Sequence, residues 1–224
     1  MSRAAAAALL ALLAEPASVS APALLGATLT GKDVTLRITE VEAYSGSTDP
    51  GSHGHRGMTP RNRHLFGAPG TLYAYRSYGI HTCVNVVSGP EGASSGSLLR
   101  GAEVVDGIET ARRRRGPSVA DVALARGPGN LGVALGAVLG EDDGSSLLDG
   151  SGPYRLTLAP GLEARLASAT PAAVVDGLLA DGSIARGPRT GVGGIAGGAS
   201  FPWRFWLRGD PTVSPYRRHK GAVG

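Results

Sequence analysis

The sequence is poor in the residues that staple or metallate a small protein. Cys83 is its only cysteine, so no internal disulfide can form, and a lone thiol suits a reducing, cytoplasmic compartment. Lysine occurs only at Lys32 and Lys220, so the rest of the 22 basic residues are arginines, which favour bidentate phosphate contacts and stacking. Aromatic residues make up 5% of the chain. No internal repeat, long linker or apolar run of membrane-spanning length is visible. The histidines and Cys83 match no paired C-x-x-C or H-E-x-x-H spacing, so neither a metal nor a cofactor is expected.

What is present describes one domain over residues 1–224. With 35 glycines, 15 prolines and 42% hydrophobic residues, the chain reads as loop-rich and globular, and long enough to bury a core without staples. The formal charge of +4 permits a polyanionic partner, and its distribution is uneven. Between His53 and Arg100, the arginines Arg56, Arg61, Arg63, Arg76 and Arg100 face Glu91 alone. His53, His55, His64 and His81 share that block.

Met1-Ser2-Arg3 followed by Ala4 to Ala14 has the charge-then-apolar layout of a signal peptide, with small residues from Ser18 to Ala21. The run holds nothing bulkier than leucine, however, and Glu15 ends it early. The favoured reading is an alanine-rich helix over Ala4 to Leu13, stopped ahead of Pro16, with residues 1–20 forming a peripheral helix or loop.

Val34, Leu36 and Ile38 alternate with Thr35 and Arg37, the pattern of a half-buried strand. Continued alternation puts Glu40, Glu42 and Tyr44 on the apolar side. A carboxylate there is costly unless the site is a polar cleft or a β-bulge turns it outward. Gly46 to Gly70 has no periodicity and reads as a long functional loop. Thr71 to Arg76 and His81 to Val87 are β-prone runs joined by Ser77-Tyr78-Gly79-Ile80, a hairpin with Tyr78-Gly79 at its tip. A Gly/Ser loop from Ser88 to Gly96 precedes a strand from Leu98 to Val105 that carries Arg100. One helix is expected to close at Gly116 and another to cover Leu131 to Leu139, with a late strand at Arg204 to Leu207. Strands in sequence with few helices between them favour an α+β fold. The expected form is a curved, largely antiparallel sheet with flanking helices and a protruding hairpin.

Taken alone, Glu42 reads as a surface or strand-end carboxylate. An inward orientation beside Tyr44 makes it a candidate general base for water. Four of the six tyrosines are Tyr44, Tyr73, Tyr75 and Tyr78. Cross-strand packing accounts for Tyr73 and Tyr75, but a hairpin tip normally holds Asn or Asp rather than Tyr78. An exposed aromatic wedge flanked by arginines suits invasion of a base stack, and the remaining tyrosines with His53 could sandwich an extruded base. The run Arg112 to Arg115 reads as a solvated helix end.

Several motifs in order carry a family likeness. Glu42-Ala43-Tyr44, Asp49-Pro50-Gly51-Ser52-His53 and Arg56-Gly57-Met58-Thr59-Pro60-Arg61-Asn62 come first. Pro69 to Tyr75, Tyr78 to Asn85 and Leu98-Leu99-Arg100 follow, then Gly127 to Leu131, Pro202 to Phe205 and Ser214. The string resembles the alkyladenine (3-methyladenine) DNA glycosylase family over about Pro22 to Ser214. That resemblance implies a monofunctional glycosylase, monomeric and nucleoid-associated, acting without a cofactor or membrane on double-stranded DNA that contains alkylated purines. It implies that Glu42 deprotonates the attacking water and Arg100 helps hold it. Tyr44, His53 and Tyr75 would line the pocket and stack on the base, and Asn85 would disfavour guanine. Tyr78 would fill the gap left in the duplex with Ile80 and His81 beside it, while Thr59, Arg61 and Arg76 would meet the DNA backbone. Gly101 departs from the alanine usual in the family. Two other readings remain: a non-catalytic damaged-DNA-binding module, and a metal-dependent nuclease built on the histidines.

Overall fold

The computed structural model describes residues 2–224. Ser2 caps the first helix, its hydroxyl accepting the Ala5 amide at 3.0 Å. Helix α1 (Arg3–Leu13) lines up Leu9, Leu12 and Leu13 on one face, and all three are fully buried. The expected helix is present, and its leucine face anchors the N-terminal segment to the rest of the chain. The Leu13 carbonyl accepts the Gly89 amide at 2.8 Å, and the Ala17 amide donates to Ser95 Oγ at 2.8 Å. Beyond Pro16 lies the short helix α2 (Ala17–Ser20). No single helix among the described residues is long and apolar enough to cross a membrane; α1 and the Ala17–Leu24 stretch meet at a 118° bend.

Strands β1 (Thr28–Gly31), β2 (Val34–Ser45), β3 (Leu72–Ser77), β4 (His81–Val87) and β5 (Ser95–Asp106) build most of a nine-stranded sheet. Helix α3 (Ile108–Arg115), strand β6 (Ala125–Arg126), helix α4 (Pro128–Leu135) and strand β7 (Tyr154–Thr157) follow. Helices α5 (Leu162–Ser168) and α6 (Pro171–Ala180) and strands β8 (Ile184–Gly187) and β9 (Arg204–Leu207) complete the chain. The sheet runs β3-β4-β5-β2-β1-β7, with β9 added along β2, β8 on β9 and β6 on β5. Its strand pairs are antiparallel, which makes the fold α+β as expected.

Two boundaries differ from expectation. Strand β5 starts at Ser95, inside the stretch expected as loop. The helix expected over Leu131 to Leu139 begins at Pro128, whose missing amide suits a first turn, and ends at left-handed Gly136 (φ 76°). Of the α3 arginines, Arg112 and Arg113 remain on the solvated surface, whereas Arg114 and Arg115 are tied to backbone carbonyls. Arg112 pairs with Glu109 and Asp121, Arg114 donates to the carbonyls of Ala134 and Lys32, and Arg115 donates to that of Leu124.

A pair of opposed irregularities in β2 and β5 decides where the chemistry sits. From Ile38 to Glu40, β2 uses two residues where β5 uses one, Ala102 to Gly101. The next step reverses this, with Glu40 to Val41 facing Gly101 to Leu99. Each bulge flips the alternation of its own strand. Val34, Leu36 and Ile38 lie in the core, and so do Val41 and Ala43, which leaves Glu42 on the opposite side. On β5, Leu99 and Ala102 are core residues while Leu98 and Arg100 face the cleft. The bulge therefore turns Glu42 away from the apolar face and into a polar cleft. Gly101 belongs to this tight crossing: a β-carbon there would lie 2.9 Å from the Thr212 carbonyl oxygen and 3.2 Å from Glu40 Oε2.

Candidate active site

A cleft of about 530 Å³ opens at the bulged crossing, a size that suits a small planar ligand. Glu42 lies at its floor with no exposed surface. Its Oε1 accepts the Thr190 amide at 2.6 Å and its Oε2 accepts the Tyr44 hydroxyl at 2.9 Å. Arg100 Nη1 stands 3.5 Å from Glu42 Oε1. Arg100 is in fact closer to a second carboxylate, with its Nε donating to Glu40 Oε1 at 3.0 Å. Arg204 Nε also donates to that oxygen, at 2.6 Å, and the Ser214 amide donates to Glu40 Oε2 at 2.7 Å. Glu40, Glu42, Arg100 and Arg204 thus form a buried, charge-balanced cluster.

Burial pushes the Glu42 carboxyl above its ordinary value, and the opposing pull of Arg100, Thr190 and Tyr44 does not cancel it. Burial works against the charge on Arg100, but Glu42 and Glu40 hold its guanidinium protonated more firmly than usual. A base must be deprotonated, so kcat/KM for base release should fall with decreasing pH through a limb above the ordinary glutamate range. A pH–rate profile with that limb at or below the ordinary range would contradict the assignment.

The walls are aromatic. His53 packs edge-on against Tyr75 with ring centroids 4.5 Å apart, and Tyr75 stacks beside Tyr73 at 5.9 Å. His53 Nδ1 lies 3.0 Å from the Tyr73 hydroxyl. Burial, and then Arg61, lower the pKa of His53, so its imidazole is neutral at physiological pH. Burial pushes Tyr73 up to about 12. Asn85 lines the same cleft, its side chain anchored by a 3.0 Å hydrogen bond to the Tyr73 carbonyl.

The mouth is formed by the β3–β4 hairpin. The Ile80 amide donates to the Ser77 carbonyl, and Tyr78 and Gly79 are both left-handed at φ 49° and 72°. A tyrosine in that region is strained by roughly 1–3 kcal/mol, a cost retained mainly at functional positions. Tyr78 is 89% exposed and Ile80 71%.

Glu42, Tyr44, His53, Tyr75, Tyr78, Asn85 and Arg100 are thus brought to one cleft. Ile80, His81, Thr59, Arg61 and Arg76 stay outside it, exposed on the hairpin and the preceding loop. Arg61 Nη2 donates to the Arg76 carbonyl at 3.3 Å, and both the amide and hydroxyl of Thr59 donate to Asn62 Oδ1. The histidines do not converge: among the described residues no three His, Cys, Asp or Glu side chains are grouped to hold a metal.

One element of the site has no counterpart in the sequence reading. Arg189 is fully buried and bridges both oxygens of Asp49 at 2.6 Å. It also donates to the Ala43 and Ala196 carbonyls. Its guanidinium carbon lies 4.5 Å from the Tyr44 ring centroid, 5.6 Å from that of Phe201 and 5.3 Å from that of Trp203, and its Nε has no hydrogen-bond partner. Arg189 therefore backs Tyr44, while its neighbour Thr190 holds Glu42. Asp49 lies in one of the motifs of the family likeness, but no sequence signal pairs it with Arg189.

A carboxylate floor beneath stacking walls is the equipment of a hydrolase whose leaving group is a planar ring. The chain belongs to the Methylpurine-DNA glycosylase (MPG) family, whose model matches residues 11–211. As a member it is a DNA glycosylase, a hydrolase of DNA repair. Relatives provisionally named 3-methyladenine DNA glycosylase occur in Leifsonia xyli subsp. xyli, at 48% identity over 91% of this chain and 90% of theirs. Others occur in Nocardia farcinica, at 48% over 90% and 87%, and in Mycobacterium tuberculosis, at 45% over 89% of each.

Proposed function

We propose that the protein extrudes alkylated purines such as 3-methyladenine from duplex DNA and hydrolyses the N-glycosidic bond, leaving the abasic site that starts base excision repair. The observation that carries this reading is Glu42, buried in the cleft that Tyr75 and His53 also line and held by three partners. Alkylation at a ring nitrogen makes the purine cationic and a good leaving group. As the C1′–N bond breaks, its electron pair leaves with the base and the sugar gains oxocarbenium character. Glu42 takes a proton from water, whose oxygen forms the new bond to C1′, with Arg100 helping to hold the carboxylate.

The faces of Tyr44 and Tyr75 favour a cationic ring over a neutral one, and a neutral His53 does not repel it. With Nδ1 paired to the Tyr73 hydroxyl, the His53 Nε2 is left for the base edge. Asn85 crowds the exocyclic amine of guanine. Arg61, Arg76 and Thr59 meet the backbone, and one monomer supplies the whole site. No lysine is among the residues lining the cleft: Lys32 is paired with Asp142 at 2.7 Å and Lys220 lies exposed on the C-terminal segment outside the cleft, so the reaction ends at the abasic site without strand cleavage.

Duplex DNA treated with a methylating agent tests the reading. The protein should release methylated purines, identifiable by chromatography, and a failure to release any would refute it. Tyr78 fills the gap in the stack, with Ile80 and His81 beside it. Tyr78→Ala should leave stability intact and slow single-turnover excision by roughly 5- to 150-fold, the weight of ~1–3 kcal/mol per lost aromatic–base stack. Unchanged excision would remove Tyr78 from that role.

A further inference from the structure

The family match ends at residue 211, and the chain beyond it carries Arg217-Arg218-His219-Lys220 with no acidic residue after Asp210. This basic segment is exposed, yet its backbone is fixed at both ends. Just before it, the Ser214 amide is held by Glu40 of the buried cluster at 2.7 Å, and Tyr216 lies 5.6 Å from the Arg204 guanidinium. Along its length, the Gly191 amide donates to the Arg217 carbonyl at 3.2 Å, and the Gly194 amide to that of Gly221 at 2.8 Å. The Val223 amide returns a bond to the Gly194 carbonyl at 3.0 Å, completing a parallel bridge between Gly194 and Ala222. The contact is close, since a β-carbon on Gly193 would lie 3.1 Å from His219 Nδ1.

The loop that receives this segment is the one whose inner side lines the cleft, at Thr190, Gly191, Val192 and Gly193. The backbone that carries these cations is therefore fixed against the loop that forms one cleft wall, while Tyr78 of the hairpin stands at the mouth. They are also uncommitted. Arg37, Arg100, Arg112, Arg189 and Arg204 are all ion-paired within the chain. Among the described residues, Arg217 and Lys220 form no ion pair, and their side chains make no hydrogen bond to the protein. Arg218 is partly engaged, donating to the Ala222 carbonyl at 3.1 Å. Two free cations on a pinned backbone lose less freedom on meeting an anion than they would on a loose tail.

We propose that Arg217 and Lys220 form a phosphate-contact site that grips the DNA backbone beside the extruded nucleotide, outside the glycosylase motifs. The proposal rests on the reading that this cleft takes its base from duplex DNA. It assigns the segment to backbone affinity, with no part in bond cleavage. Neutralising two phosphate contacts releases two sets of counterions, which fixes the expected size of the effect.

The test is the double variant Arg217→Ala/Lys220→Ala, with affinity for a duplex carrying an abasic-site analogue measured across a salt series. The slope of log K against log salt should become shallower by about 2, close to 0.9 per phosphate lost. The single-turnover rate of base release at saturating enzyme should stay at the wild-type value. The charge-preserving variant Arg217→Lys/Lys220→Arg should keep the wild-type slope, which separates charge from local structure. An unchanged slope in the alanine variant would overturn the proposal, as would an equal loss in the charge-preserving one. Failure of the glycosylase reading would look different, because the wild-type protein itself would then release no base.

Discussion

Glu42→Gln is expected to lower single-turnover base release by roughly 10²- to 10⁴-fold, the usual range for loss of a positioned general base. Glutamine keeps an oxygen to accept from the Thr190 amide or the Tyr44 hydroxyl, so the cleft should retain its shape. What disappears is the proton acceptor and the negative charge beside the developing oxocarbenium ion. Affinity for abasic-site DNA should survive, since Tyr78 and the basic rim are untouched. Two effects on stability oppose each other at neutral pH: Arg100 loses its pair with Glu42 while keeping Glu40, and a buried charge is removed. The folded-state pKa of Glu42 is raised, so the folded protein holds the proton more tightly than the unfolded chain does. The ionised carboxylate therefore opposes folding as pH rises through that raised value, and the amide removes this penalty. Wild-type base release by the variant would show that another group activates water. Loss of both binding and release would point to a collapsed site rather than to a missing base.

Breaking the Asp49–Arg189 pair should have the largest effect on stability. Both side chains are wholly buried, and Asp49→Asn leaves a guanidinium without its carboxylate in a low-dielectric interior. Removing one partner of a buried pair costs about 3–5 kcal/mol, which lowers Tm by on the order of 10 °C in a domain of this size. A shift within a degree or two of wild type would contradict this account of the pair. The paired replacement Asp49→Leu/Arg189→Met removes the orphan charge and should recover much of the lost stability. Base release should remain low in that variant, because Tyr44 loses the cation behind its ring and Thr190 loses the neighbour that sets its amide against Glu42.

The sheet's outline was legible where the chain repeats a local pattern. Val34 to Ile38 alternates, the Ser77 to Ile80 stretch carries its turn signal, and Arg204 to Leu207 is β-prone. Each agrees with its observed strand because half-buried strands and hairpin tips impose residue types locally. Short elements such as β1, β7 and β8 were not legible: their burial depends on partners far along the chain. The same holds for the orientation of Glu42. Alternation counted from Val34 put it on the apolar side, and only the register against β5 reveals the bulges that turn it. Arg100 and Glu42 were nameable from motif order, whereas the four-charge cluster was not: alternation put Glu40 on the apolar side beside Glu42, but nothing in the sequence pairs it with Arg204. Arg189 is the plainest case. A buried arginine looks like a surface arginine until its carboxylate, aromatic and carbonyl partners are placed around it.

The most direct test of the central claim is a single reaction on a duplex with one alkylated purine, in which free base and abasic sites are both counted before and after alkali. A water-activating Glu42 without a lysine nucleophile predicts equal amounts of base and abasic site, with the strand intact until alkali is added. Strand cleavage before alkali, or abasic sites fewer than the bases released, would contradict it.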